Sequence, residues 1–345
     1  MQLACPIPKA EFDMITMGHG SGGLLTHKLL QSGVFDVLKN EWLDQQHDGA
    51  SFQLNGSVAF STDSYVISPI FFPGGTIGEL AINGTVNDLA MCGAMAQYLS
   101  LAFIIEEGLT AGEFHQVVAG IRDAAAKAGV KIVTGDTKVV EKGKGDKIFI
   151  NTSGVGLIHP KANIHHHRIE AGDKIIISGH IATHGIAIMS VRKGLEFETA
   201  ICSDTAPLNH SIHKLLNGFG EQIKFLRDPT RGGLASVLNE IAEQTKLGYE
   251  IYQKDLPILQ EVEGACEMLG LDPLYVANEG IFAAVVKSDV AEAFVEALRR
   301  DVNGVDARII GEVTTQHPGK VILKSRIGGS RVVNYLTGEQ LPRIC

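Results

Sequence analysis

Residues 77–94, IGELAINGTVNDLAMCGA, read as one buried helix, apolar except where Asn83, Asn87 and Asp88 break into it. A helix apolar on most sides belongs inside a fold rather than on its surface. A carboxylate on such a helix needs a partner, because an unpaired charge taken out of water is costly. The flanking stretches set the fold class. SVAFSTD (57–63) before the helix and QYLSLAFIIEE (97–107) after it read as strands. AGEFHQVVAGIRDAAAKAG (111–129) has helical periodicity, and VKIVTGD (130–136) is a strand that ends on an acid. KIFINTSGVGLI (147–158) is a further strand, with a bend or bulge expected at NTSG.

HPKANIHHHRIEAGD (159–173) is polar, carries a proline and lacks periodicity, which places a domain junction there. Beyond it, strands are expected at 173–179 and 280–288, and helices near Thr183 and at 230–246, 262–271 and 291–300, with two closing strands. The expectation is an α/β (α+β) chain of two domains, 17–160 and 161–328. An N-terminal extension (1–16) precedes them, and a flexible tail (329–345) ends in Cys345.

A length of 345 residues suits two domains of roughly 150 each. The net charge of -9 argues against nucleic acid or an anionic membrane as partner. No apolar run approaches the roughly 20 residues of a membrane helix, and the N-terminus lacks a signal peptide's apolar stretch. The five cysteines are scattered with no C-x-x-C, so neither a disulfide framework nor a zinc site is indicated and a cytoplasmic location is expected. Cys92 and Cys266 read as small core residues. Cys345 is the last residue, carrying a thiol and the terminal carboxylate together; frayed chain ends offer a trivial explanation.

GHGSGG (18–23) could turn backbone N–H groups toward an anion, helped by the helix start behind it. It fits neither the P-loop nor the dinucleotide fingerprint, and a plain glycine loop explains it as well. RDPTRGG (227–233) shares that ambiguity, with Arg227 and Arg231 adding charges suited to phosphate. Asp63 and Asp136 each end a strand, where they could cap turns; with Asp88 they could instead meet magnesium and substrate phosphates. Lys138 falls on the same side as Asp136 and could face a phosphate, or stand solvated before EKGKGDK. Asn278 and Glu279 stand at a glycine turn before a strand, a place for a catalytic base or for an ordinary turn. His165, His166 and His167 read as a solvated run, and His184 could cap its helix or line a site.

In this order, GHGSGG, FSTDSYV, FFPGGTIGELAINGTVNDLAMCGA, TGDTKVV, RDPTRGG, ANEG and LPRIC resemble the HypE family of hydrogenase-maturation carbamoyl dehydratases, from about Met17 to Cys345. The resemblance implies the two-domain PurM-like fold of aminoimidazole ribonucleotide synthetase, selenophosphate synthetase and thiamine monophosphate kinase. In that fold the N-terminal domains pair their sheets across a dimer axis, with magnesium-ATP between the subunits. Carried over, the resemblance makes Asp63, Asp88 and Asp136 the magnesium–phosphate acids, with Asn87 beside them at the nucleotide. It puts Gly20, Ser21, Gly22 and Gly23 in a loop closing over ATP, and Lys138 and Glu279 at the active-site lysine and acid. Cys345 matches the terminal cysteine loaded by a HypF-type carbamoyltransferase, and a HypC–HypD-type scaffold would receive the product. ACPIPK (4–9) only loosely imitates the reactive N-terminus of selenophosphate synthetases.

The implied chemistry removes one water from S–C(=O)–NH₂ to leave a thiocyanate. ATP would phosphorylate the carbamoyl oxygen so that it departs as phosphate, Glu279 would take N–H protons, and Lys138 with magnesium would stabilise the phosphoryl charge. Arg343 beside the thiol is expected to favour thiolate and the carboxylate to oppose it. Two rivals share these features. A small-molecule kinase or synthetase of the same fold would not need Cys345. A non-catalytic, nucleotide-gated assembly factor would not need Glu279.

Overall fold

Residues 12–46, 48–194, 201–336 and 343–345 are described by a computed structural model, and two large sheets organise them. The N-terminal half begins with α1 (Leu24–Leu30) and the short α2 (Asp36–Leu38), then β1 (Val58–Tyr65). A hairpin of β2 (Phe71–Phe72) and β3 (Gly75–Thr76) leads into α3 (Ile77–Met91). Then come β4 (Ala94–Glu106), α4 (Ala111–Ala128), β5 (Lys131–Val140) and β6 (Ile148–Ile158). The four-stranded sheet has the order β1-β6-β4-β5. Only the β4–β5 pair is parallel, since α4 crosses over between those strands.

Thr76 caps α3 by accepting the Glu79 N–H at 3.3 Å. The helix packs so closely on α4 that a Cβ at Gly78 would lie 2.3 Å from the Val117 carbonyl oxygen, so only glycine fits. The two helices cover one sheet face. Strand alternation then leaves Val58, Phe60 and Ile104 exposed on the other, Phe60 at 70%.

Three local expectations change. β1 and β5 run past their acids, so Asp63 and Asp136 sit mid-strand, opposite Thr152 and Ala102. NTSG carries no bulge, because the buried Thr152 hydroxyl donates inward to the Ala81 carbonyl at 3.0 Å and meets Thr85 at 2.6 Å. The register shift lies at Gln97 on β4 instead, between Ala96 and Tyr98. Cys92 is exposed just past the end of α3, whereas Cys266 is buried as expected.

The C-terminal half contains β7 (Lys174–Ile177), α5 (Thr183–Lys193), α6 (Asn209–Phe219), β8 (Ile223–Arg227), α7 (Gly233–Thr245) and β9 (Gly248–Tyr252). It continues through α8 (Gln260–Leu269), β10 (Ala283–Val286), α9 (Ala291–Arg299), β11 (Arg308–Thr314), β12 (Val321–Lys324) and β13 (Ser330–Val333). The seven strands are ordered β13-β12-β9-β11-β7-β10-β8, and every residue of β10 is buried.

Both chain ends depart from the expected layout. Met14 bridges to Thr110, Ile15 is fully buried, and Asp13 and Ile15 exchange backbone hydrogen bonds with residues 108–111. The end of the expected extension is therefore part of the N-terminal half; Cys5 lies outside the described residues. At the other end, β13 pairs antiparallel with β12, and Gly328 and Gly329 lie in the turn between them, so the expected tail begins as a strand. Residues 337–342 of the expected tail lie outside the described residues. The three junction histidines are exposed, as a solvated run should be. Among the described residues no helix is long and apolar enough to cross a membrane.

Candidate functional site

The polar breaks in α3 have separate duties. Asp88 accepts the Ser61 hydroxyl at 2.7 Å, and Ser61 and Asp63 alternate on β1 so that both face the helix. Burial, and the Asp63 charge opposing the Ser61 bond, hold the Asp88 carboxyl above its ordinary value. Asn87, expected at the nucleotide, instead ties the two halves together. Its amide donates to the Ala206 carbonyl at 3.0 Å and the Glu279 carbonyl at 3.2 Å, and accepts the Leu208 N–H at 2.8 Å. Both ends of the amide are engaged in these bonds.

The 278–280 turn is held from three sides. Asn278 donates to the Pro229 carbonyl at 2.7 Å and accepts the Ala182 N–H at 2.7 Å. Asp204 accepts the N–H of Glu279 at 3.1 Å and of Gly280 at 3.1 Å. A Cβ at Gly280 would fall 1.7 Å from the Asp204 carbonyl oxygen, so no other residue fits. Glu279 is 3% exposed, and its Oε1 has no hydrogen-bond partner among the described residues.

Burial raises the Glu279 carboxyl well above its ordinary value, and the charges of Asp204, Asp228, Asp63 and Asp88 add to the rise. Asp228 is pushed up to about 7 by burial and Asp88, and Asp204 to about 6 by burial. Asp228 was not anticipated as a site residue, although it lies between the two arginines of RDPTRGG. Asp204, in CSDTAP, has no local sequence signal.

The end of the chain comes up to this acid cluster. Ile344 and Cys345 are buried, and an oxygen of the Cys345 terminal carboxylate accepts the Val66 N–H at 3.0 Å. His184 lines the site, its Nε2 2.9 Å from the Ile344 carbonyl oxygen. Arg343 does not activate the thiol. Its guanidinium turns to the Val66 carbonyl at 2.9 and 3.0 Å and to Asp146. Burial pushes the Cys345 thiol up to about 12; the Glu279 charge adds to this and Arg231 opposes it.

The raised thiol has a pH consequence. Docking favours the protonated thiol, so this contribution is complete below the ordinary value of 9.0 and is lost as pH rises from there toward about 12. At pH 7, iodoacetamide should therefore alkylate Cys345 much more slowly than it alkylates a free LPRIC peptide. The ratio of the two rates should rise toward one above pH 9. Equal rates at pH 7 would contradict the docked tail.

The glycine loop, Asp136 and Lys138 lie elsewhere. Gly20 presses on β5, where a Cβ would meet Val139 at 2.8 Å. The Ser21 hydroxyl donates to the Gly18 carbonyl at 2.9 Å. Gly22 has φ +82°, a left-handed conformation suited to glycine, and its N–H donates to Thr26 at 2.9 Å. Gly23 immediately precedes α1. Lys138 Nζ sits 2.7 Å from both Asp136 oxygens, and this bond holds the Asp136 carboxyl below its ordinary value. A cavity of about 250 Å³ is lined by Gly20, Gly22, Thr137 and this pair.

The expected site is thus split in two. Asp63 and Asp88 lie close enough to Glu279, and Glu279 and Asp63 to Cys345, to raise their affinity for protons, while Lys138 and Asp136 stand on the far edge strand. Two strands intervene, which separates the edges by about 14 Å. Alternation also puts Asp136 and Asp63 on opposite sheet faces. The three acids expected to hold magnesium therefore do not meet within one chain. Among the described residues no group of three or more His, Cys, Asp or Glu is gathered to hold a metal ion. Asp63 and Asp88, backed by Asp228, still offer the oxygen donors a hard cation takes, and their mutual repulsion is what a cation would relieve.

Sequence comparison matches residues 46–158 to the AIR synthase related protein, N-terminal domain, and 170–324 to its C-terminal domain. The chain is 48% identical over 332 residues to the carbamoyl dehydratase HypE of Azotobacter vinelandii, covering 96% of this chain and 97% of that one. Among solved structures, the hydrogenase maturation protein HypE in complex with ATP superposes with a TM-score of 0.92 at 45% identity, covering 96% of this chain and 99% of that one. A HypE–HypF complex gives a TM-score of 0.79 at 46% identity, covering 89% of this chain and 99% of that one.

Proposed function

The chain belongs to the AIR synthase related family and, within it, to the carbamoyl dehydratases of the HypE type; from that premise we propose how its own residues carry the reaction. The substrate is its own terminal thiol bearing a carbamoyl group. The observation that carries this reading is Cys345 buried close to Glu279 and the acids around it. A small-molecule kinase of the same fold has no use for such a docked cysteine.

The carbamoyl oxygen attacks the γ-phosphoryl of ATP, releasing ADP, while an N–H proton leaves. The C–O bond then breaks, the oxygen departs as phosphate, the second N–H proton is lost, and S–C≡N remains. Glu279 accepts protons from the nitrogen. Its unpartnered oxygen and raised affinity for protons suit a base, once the surrounding negative charge is offset. Asp63 and Asp88 would hold magnesium with phosphate oxygens, which supplies positive charge to the transferring phosphoryl group. A HypF-type carbamoyltransferase loads the thiol and a HypC–HypD-type scaffold receives the cyano group, all in the cytoplasm. The direct test is intact mass: the carbamoylated protein should lose one water on adding ATP, and an unchanged mass would refute the reading.

We also propose a homodimer. The uncovered sheet face with Val58, Phe60 and Ile104 supports pairing through the N-terminal halves. Asp136 and Lys138 then reach the partner's Asp63–Asp88 side, so one nucleotide site takes residues from two chains. Asp88→Asn and Asp136→Asn should each abolish ATP-dependent water loss. Co-expressed, the two variants should recover about a quarter of wild-type activity, because half the dimers are mixed and each mixed dimer has one intact site. No recovery would mean that each site is built from one chain.

A further inference from the structure

His184 is fully buried and makes a hydrogen bond at each ring nitrogen. Burial pushes its pKa down to about 4, so the ring is neutral at pH 7 and carries one N–H. The Ile344 carbonyl can only accept, which assigns that proton to Nε2. Nδ1 is then an acceptor, and the Ser203 hydroxyl donates to it at 2.8 Å. The Ser203 oxygen in turn accepts the Thr205 N–H at 3.1 Å. Each group in this chain has one role, and together they orient the imidazole toward the peptide just before the thiol.

Ser203 is itself anchored. Its N–H donates to the Pro73 carbonyl at 2.8 Å, and a Cβ at Gly74 would lie 2.7 Å from its nitrogen. Phe72 meets the imidazole edge-on at 5.7 Å. The next residue, Asp204, receives the N–H groups of Glu279 and Gly280. Two adjacent residues therefore govern both reactants. Ser203 acts through His184 on the arm that carries the sulfur, and Asp204 acts on the backbone of the base.

We propose that His184, Ser203 and Asp204 form a clamp of positioning residues that sets the carbamoyl-bearing arm in register with Glu279. The clamp rests on the reading of Cys345 as the loaded residue. Reacting groups held at a few ångströms gain rate from orientation alone, and misplacement by about 1 Å costs on the order of a hundredfold. The clamp gives the tail a defined seat without bonding the thiol, so the arm can carry a carbamoyl or a cyano group without changing its own anchor.

Two measurements on His184→Ala, His184→Gln and Ser203→Ala test the clamp. The first is the alkylation rate of unloaded Cys345, which needs no turnover. The second is the single-turnover rate of water loss from carbamoylated protein at saturating ATP, with ATP affinity measured alongside. His184→Ala should raise alkylation about tenfold, as loss of one buried hydrogen bond predicts. It should slow water loss by about a hundredfold with ATP affinity unchanged. His184→Gln, whose amide can still donate to Ile344, should recover much of both. If His184→Ala does not fold, Ser203→Ala decides: faster alkylation at an unchanged melting temperature supports the clamp, and wild-type behaviour overturns it. Wild-type alkylation and water loss in His184→Ala would also overturn it, as would a glutamine variant no better than alanine. If wild-type carbamoylated protein never loses water, the functional reading fails, and the alkylation rates still judge the seat.

Discussion

Glu279→Gln should accept the carbamoyl group on Cys345 and keep it unchanged when ATP is added. Loss of a positioned general base costs about 10²–10⁴ in rate, so dehydration should fall below detection over minutes. The substitution leaves the turn intact, because Asp204 and Asn87 bind the backbone of residue 279 rather than its side chain. It also cannot act by unfolding. The Glu279 carboxyl is raised above its ordinary 4.5, so it stabilises the fold most below that pH and that contribution is lost as pH rises through its folded value. A neutral glutamine mimics the uncharged form that burial and the four neighbouring acids favour at residue 279. The melting temperature should therefore stay the same or rise while the water-loss step disappears. Intact-mass spectrometry over a time course checks this, and a normal rate of water loss would remove Glu279 from the mechanism.

Cys345→Ala should abolish the carbamoyl load altogether while leaving folding, dimerisation and ATP binding as in the wild type. The anchors of the tail are backbone atoms and the Arg343 side chain: Val66 to the Cys345 carboxylate, His184 to the Ile344 carbonyl, Arg192 to the Arg343 carbonyl, and Arg343 to Val66 and Asp146. None uses the sulfur. Docking should therefore survive, which separates loss of the reactive atom from loss of the tail's seat. Cys92 and Cys202 are exposed and serve as internal controls. A carbamoyl group found on either of them in Cys345→Ala protein would show that the terminal position is not what selects the thiol.

Both predictions start from residues that were legible in the sequence. A helix of apolar residues interrupted by Asn83, Asn87 and Asp88, a Glu at a glycine turn and a cysteine at the chain end are local features, readable from neighbours alone. So were most helices and strands, because periodicity of 3.6 or 2 is set by residues close in sequence. Strand ends were not. β5 continues past Asp136 because β4 keeps pairing with it, and that partner is distant in the chain.

The same reason separates what was foreseen at the site from what was not. Asp228 and Asp204 join the acid cluster only because β8 and the 201–208 segment are brought against α3 and the Glu279 turn. The order β1-β6-β4-β5 places Asp63 and Asp136 on opposite edges, so residues read as one set are divided within a chain. Arg343 looked like a neighbour of the thiol because it is two residues away. In the fold its guanidinium is drawn to Val66 and Asp146, and the thiol is left to burial and Glu279. The sequence by itself determined which chemical groups this protein owns and which element carries each, since those follow from local pattern. Only the tertiary structure decided which groups share a cleft and in what protonation state, because pairing and burial are set by contacts between segments far apart in the chain.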